Sequence, residues 1–206
     1  SNRYFLRALL QRLGCEVVDG GILPDNREQT VAAIAKVAQD CDLVLSSAGV
    51  SVGEEDHVKP AVEQQGELNL WMISMKPGKP FAYGKVWRNG KDASEGAAHF
   101  MGLPGNPVSS FITFLLLVRP FVLRLQGMQD VAPKAIEVTA QFEWLKKEKR
   151  REFLRARHTV HGGLALFGNQ GSGVLTSTVW GDGLIDNPPL TAIQQGDTVR
   201  FIPFTE

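Results

Sequence analysis

Over the first 125 residues apolar positions alternate between helical and strand patterns, and after Gly127 closely spaced strand patterns take over. Leu6, Leu9, Leu10 and Leu13 share one helix face, and Gly14 is placed to end that helix. Residues 15–23 read as a strand closed by Pro24. Asn26 with Gln29 resembles a capping box ahead of the stripe Val31, Ile34, Ala35 and Ala38. Residues 42–45 form a short buried strand that runs into a polar, glycine-bearing loop. A helix over 57–65 tolerates Pro60 in its first turn. A strand follows at 68–75, and the polar stretch 88–96, with its Asn89-Gly90 turn signal, separates two further strands. This alternation predicts an α/β layered domain with a mostly parallel sheet.

Residues 106–125 form the most strongly patterned helix. Asn106 is a good N-cap and Pro107 suits the first helical position. From Phe111 to Val118 the segment is apolar on nearly every side, as in a core helix or a subunit interface. Ser109, Ser110, Arg119 and Pro120 interrupt it and argue against a membrane span. After Gly127 the pattern shortens. Strand-like runs at 136–140, 153–160, 164–167, 174–180 and 198–204 alternate with glycine-bearing turns, which predicts a small all-β, barrel-like domain. The expected division is an α/β domain at 1–126 and a β domain at 132–206.

Composition narrows the class. Hydrophobic residues make up 43% and charged ones 21%, an ordinary globular mixture. Lys plus Arg number 22 and Asp plus Glu 22, so no bulk charge draws nucleic acid. The basic run 146–151 is broken by Glu148 and followed by Glu152, as in a solvated hairpin. Cys15 and Cys41 form no CxxC pair, so neither a disulfide framework nor a zinc site is expected, and a cytoplasmic setting is. No apolar run reaches the length of a membrane span, and the polar Ser1-Asn2-Arg3 lacks a signal-peptide pattern.

Three loops fall where an open α/β sheet places ligands, beyond the carboxyl ends of strands. Residues 46–56 are rich in serine and glycine, whose hydroxyls and amides suit either a phosphate cradle or a plain structural loop. Residues 101–109 join a strand to a helix N-terminus through Pro104-Gly105-Asn106-Pro107, a place for an anion or for capping alone. Lys76-Pro77-Gly78-Lys79-Pro80 is a stiff turn with two ammonium groups suited to a polyanion or to solvent. Asp25 and Asp56 end earlier segments, and two such carboxylates could hold Mg²⁺, which takes few protein ligands.

Taken together, Pro24-Asp25-Asn26, the loop from Ser46-Ser47-Ala48-Gly49 to Glu55-Asp56, Met75-Lys76-Pro77-Gly78-Lys79-Pro80-Phe81 and Gly102-Leu103-Pro104-Gly105-Asn106-Pro107-Val108-Ser109 resemble the molybdopterin molybdenumtransferases, the MoeA and gephyrin E-domain family. The β part matches mainly through residues 150–157. The resemblance implies insertion of molybdate into adenylylated molybdopterin with Mg²⁺, releasing AMP. It implies catalytic roles for Asp25, Asp56 and Lys76, with Asp25 and Asp56 on the metal. It implies substrate binding by Ser46, Ser47, Gly49, Ser51, Gly53, Lys59, Lys79, Pro104, Gly105, Asn106 and Ser109. A homodimer and other molybdenum cofactor biosynthesis proteins are the implied partners. Met72 stands where the family commonly has a basic residue, and Ala48 replaces a frequent glycine. The family also carries two domains ahead of this point, so the chain resembles a carboxy-terminal fragment. A non-catalytic pterin- or protein-binding scaffold of the same ancestry is the alternative.

Overall fold

The computed structural model describes residues 2–23, 25–49 and 57–205. They divide into two compact units that interleave in sequence, one of 1–73 with 80–105 and the other of 74–79 with 106–206.

The first unit is built from α1 (Asn2–Arg12), α2 (Arg27–Asp40), β1 (Leu43–Ser47), α3 (Val58–Gln64), β2 (Gly66–Met72), β4 (Pro80–Trp87) and β5 (Ala97–Leu103). Gly14, at φ 79°, ends α1 in left-handed geometry, and Asn26 Oδ1 accepts from Gln29 N at the start of α2. The strand order is β1-β5-β4-β2. Only β1 and β5 run parallel; β5–β4 and β4–β2 are antiparallel. The sheet is therefore mixed, not mostly parallel as the alternation implied. The cause is connection length: residues 88–96 and 73–79 are too short for a crossover and return the chain as hairpins. Ile34 and Ala38 of α2, with Val58, Ala61 and Val62 of α3, pack on Ala82, Val86, Ala98 and Phe100. Strand alternation sends Phe81 and Tyr83 to the opposite face, where Trp71 stacks on both and Tyr83 on His99, with centroids 6.0–6.1 Å apart. Residues 15–23 join no ladder among the described residues. Asp19 there pairs with Arg3 and accepts from Gly21 N, which closes a turn in place of the expected strand.

The second unit holds β3 (Met75–Lys76), α4 (Pro107–Leu125), β6 (Ile136–Thr139), β7 (Arg151–His158), β8 (Leu164–Leu166), α5 (Thr176–Trp180), β9 (Gly183–Asn187) and β10 (Thr198–Pro203). Its sheet runs β3-β7-β9-β10-β6, with β8 also on β7. Ala140, just past β6, meets Leu164 of β8 through one isolated bridge, so no closed barrel forms among the described residues. A three-residue β8 is too short to carry the ladder that closure needs. Residues 176–180 are a helical turn where a strand was expected, with Ser177 Oγ donating to Val174 O.

Helix α4 packs within this unit, Phe111 meeting Phe204 edge-on at 5.1 Å. Its length and composition would suit a membrane span, but Val108, Ile112, Phe114, Leu115 and Val118 are buried in the fold. Residues 114–118 widen into a π turn ahead of Pro120, which has no N–H to donate and whose ring crowds the carbonyl four residues back.

Candidate functional site

In the first unit, β1 and β5 lie side by side in parallel and deliver two loops at their carboxyl ends, with Ser47 in register with Leu103. The chain turns at Ala48 (φ 75°) and Gly49 (φ 82°), and Ala48 N donates to Leu103 O at 3.0 Å. Ser46 Oγ donates to Ala48 O. A Cβ at Gly105 would stand 3.3 Å from Ala48 Cβ, so the two loops approach closely where a side chain would crowd them. Asn2, at the head of α1, joins both: its Nδ2 donates to Ser47 Oγ at 2.7 Å and to Gly105 O at 2.8 Å. Nothing in the sequence singles Asn2 out, because its partners lie 45 and 103 residues away. Pro104 is buried beside Gly105, and Lys59 lies half-buried in the first turn of α3.

Asp25 is 94% exposed in its side chain and stands 3.2 Å from His57 Nε2. Ser51, Gly53 and Asp56 lie outside the described residues. Among the described residues no three His, Cys, Asp or Glu groups cluster to hold a metal.

The second unit gathers Lys76, Lys79 and Ser109. A Cβ at Gly78 would fall 3.7 Å from Ser109 Cβ and 3.5 Å from Thr113 Oγ1, which sets the Lys76–Lys79 turn on α4. Lys79 is exposed. Lys76 Nζ is 3.0 Å from Glu148 Oε2 and 3.4 Å from Glu152 Oε1. Partial burial pulls the Lys76 pKa down, but the hydrogen bond to Glu148 and the charge of Glu152 outweigh it, and the value lies above that of an ordinary lysine. The same hydrogen bond holds the Glu148 carboxyl below its usual range. Glu152, almost wholly buried, also accepts from Trp144 Nε1 at 2.8 Å. Lys76 is thus a paired cation. Arg150 joins the turn by donating to Met75 O.

At the start of α4, Asn106 has extended backbone but its side chain makes no capping bond. Pro107 has no N–H, Val108 N donates to Ser172 O, and Ser110 N donates to Asn106 O. Among the described residues these bonds engage the first-turn amides of Val108 and Ser110 and not that of Ser109. The turn just before Ser172 is fastened by Arg155, a fully buried guanidinium that donates to Gly171 O and Ser177 Oγ, both at 3.1 Å. Burial lowers the Arg155 pKa to about 10.

Fold and loops define an α/β unit interleaved in sequence with a mainly β unit. Residues 1–124 match the family model of a probable molybdopterin binding domain, and residues 137–204 that of the MoeA C-terminal region (domain IV). The chain belongs to this MoeA and gephyrin family of molybdenum cofactor biosynthesis proteins. It is 40% identical over 162 residues to the molybdopterin molybdenumtransferase of Haemophilus influenzae, covering 78% of this chain and 38% of that protein. It is 32% identical over 198 residues to the molybdenum cofactor synthesis protein cinnamon of Drosophila melanogaster, covering 93% of this chain and 31% of that one. The crystal structure of a molybdopterin biosynthesis MoeA protein from Pyrococcus horikoshii aligns over 100% of this chain and 48% of its own, with a TM-score of 0.74 and 28% identity. The chain spans less than half the length of each of these relatives.

Proposed function

We propose that the chain is the molybdopterin-binding and carboxy-terminal part of a molybdenum-inserting transferase, acting in the cytoplasm as a homodimer alongside other cofactor-biosynthesis proteins. The reaction is transfer of molybdate into adenylylated molybdopterin with release of AMP. The observation that carries this reading is the pair of loops at the ends of parallel β1 and β5, drawn together at Ala48 and Gly105. In this reading Ser47 and the Gly49 amide donate to the ligand's phosphate. Ala48 N and the Ser46 hydroxyl are engaged within the loop. Lys79, together with the Ser109 amide, attracts the molybdate oxyanion, while Lys76 fixes the turn that presents them. Exposed Trp71 and Met72 on the edge strand β2 support the homodimer.

Mg²⁺ fits the residues present. Asp25 offers an exposed carboxylate oxygen, the kind of ligand taken by an ion that prefers one or two carboxylates, waters and substrate phosphates. Asp25 and Asp56 would hold it, and when bound it supplies charge neutralisation at the phosphates. The Asp25 carboxylate then offers its oxygens to the ion in competition with His57.

The test uses the full-length protein, with AMP release and active-cofactor formation as readouts. Asp56→Asn is expected to keep its fold and its molybdopterin affinity and to lose turnover, since it keeps the side-chain volume and removes the charge. Normal turnover in Asp56→Asn would remove the metal assignment.

A further inference from the structure

We propose that Asn2 is a positioning residue for ligand phosphate, acting through the hydroxyl of Ser47. This deepens the function proposed above and rests on its assignment of phosphate to the 46–49 loop. Two observations in the first unit converge on it. Asn2 Nδ2 donates to Ser47 Oγ and to Gly105 O, so one amide group ties the β1 loop to the β5 loop. The Ser47 oxygen accepts from Asn2, which turns the hydroxyl proton away from Asn2 and leaves Ser47 to act as a donor elsewhere. In addition, Asn2 Oδ1 is buried without a hydrogen-bond partner among the described residues. A buried acceptor left unpaired is unfavourable, so the two donations set the orientation of this side chain.

The chemistry restricts what can stand at position 2. The residue must donate twice and carry no negative charge beside the phosphate. An aspartate of the same shape donates nothing and repels the anion, although in the first turn of α1 its charge suits the helix. An alanine leaves the Ser47 hydroxyl free to rotate and the Gly105 carbonyl without this donor. Asn2 therefore organises the cradle without being required to touch the ligand.

Calorimetric titration with molybdopterin tests this on the native chain, Asn2→Ala, Ser47→Ala and the double variant, with a thermal melt of each. Each single substitution is expected to weaken binding about five- to tenfold. The double variant should bind no worse than the weaker single, because both remove the same oriented hydroxyl. Losses that multiply in the double variant would overturn positioning through Ser47. Unchanged affinity in Asn2→Ala beside a weakened Ser47→Ala would also overturn it, leaving the phosphate assignment intact. Unchanged affinity in Ser47→Ala would instead remove that assignment, and this inference with it. A merely structural Asn2 would lower the melting temperature while showing no coupling to Ser47 in binding. If Asn2→Ala fails to fold, Asn2→Asp supplies the reading. It should bind at least as weakly as Ser47→Ala, and native affinity in Asn2→Asp would sink the proposal.

Discussion

A lysine expected to greet an oxyanion is held instead between two carboxylates. Lys76 lies between Glu148 and Glu152, and Glu152 is nearly inaccessible to water. Removing the ammonium leaves a buried negative charge that keeps the hydrogen bond from Trp144 Nε1. Lys76→Met is therefore expected to lower unfolding free energy by about 2 kcal/mol. Adding Glu152→Gln should recover part of that loss in urea melts, whereas additive losses would show that the pair is not coupled. A second residue sets a pH dependence. Burial, helped by Lys85 and opposed by Asp42, depresses the His99 pKa below the ordinary 6.5, and Tyr83 Oη lies 2.9 Å from its Nδ1. The folded state then binds fewer protons than the unfolded one. This contribution to stability is full above pH 6.5 and is lost as the pH falls through the lower folded value. Melting temperatures measured from pH 8 downward should show that decline in the native chain. His99→Phe should flatten it, and an unchanged profile would place the titration elsewhere.

At the scale of elements, the tightest constraint is the β2–β4 pairing. A Cβ at Gly84 would fall 2.0 Å from Glu67 O, so Gly84→Ala must displace one of the two strands. A cost of about 2 kcal/mol or more is expected, with faster amide exchange along residues 66–72. Exchange unchanged there would mean that the ladder yields without loss. Elements stabilised by their own residues were legible in sequence. The Asn26 cap, the Gly14 stop and the apolar run of α4 each act over a few residues and fold as read. What sequence reading missed depends on distant partners. Residues 15–23 have strand-like composition but, among the described residues, no neighbouring strand to pair with. Residues 176–180 look like a strand, yet local hydroxyl-to-carbonyl bonds at Ser177 and Thr178 coil them. The sheet's direction was misread because helices between strands suggested crossovers, while two short connections reverse the chain. The site divides the same way. The loops at 46–49 and 104–106 announce themselves by glycine and proline, but Asn2, Glu148 and His57 enter only through contacts made on folding.

For the whole molecule, the exposed Lys134 in the stretch between α4 and β6 is the expected first tryptic site. The 88–96 hairpin should resist, because Asn89 accepts from the amides of Lys91 and Asp92, and Asp92 caps Ser94. The two pieces of a chain nicked at Lys134 should co-elute on size exclusion. Helix α4 and strand β3, both on the amino-terminal piece, pack within the same unit as β7 and β10. Separation of the pieces would show that these contacts are too weak to hold them.

The pairing of Met75 and Lys76 with Arg151 and Glu152 also bears on how the protein is made. A ribosome releases the Lys76 turn long before it releases the strand that receives it. Until residue 152 has emerged, the turn has no sheet edge to join and the lysine no Glu152 to face. The cationic turn is therefore among the last features to take shape during synthesis, because closing so long a stretch of chain must precede any gain from the contact. A translational pause within 77–150 would prolong the time for which this segment remains unpaired, and the exposed strand could then find a partner in a neighbouring chain.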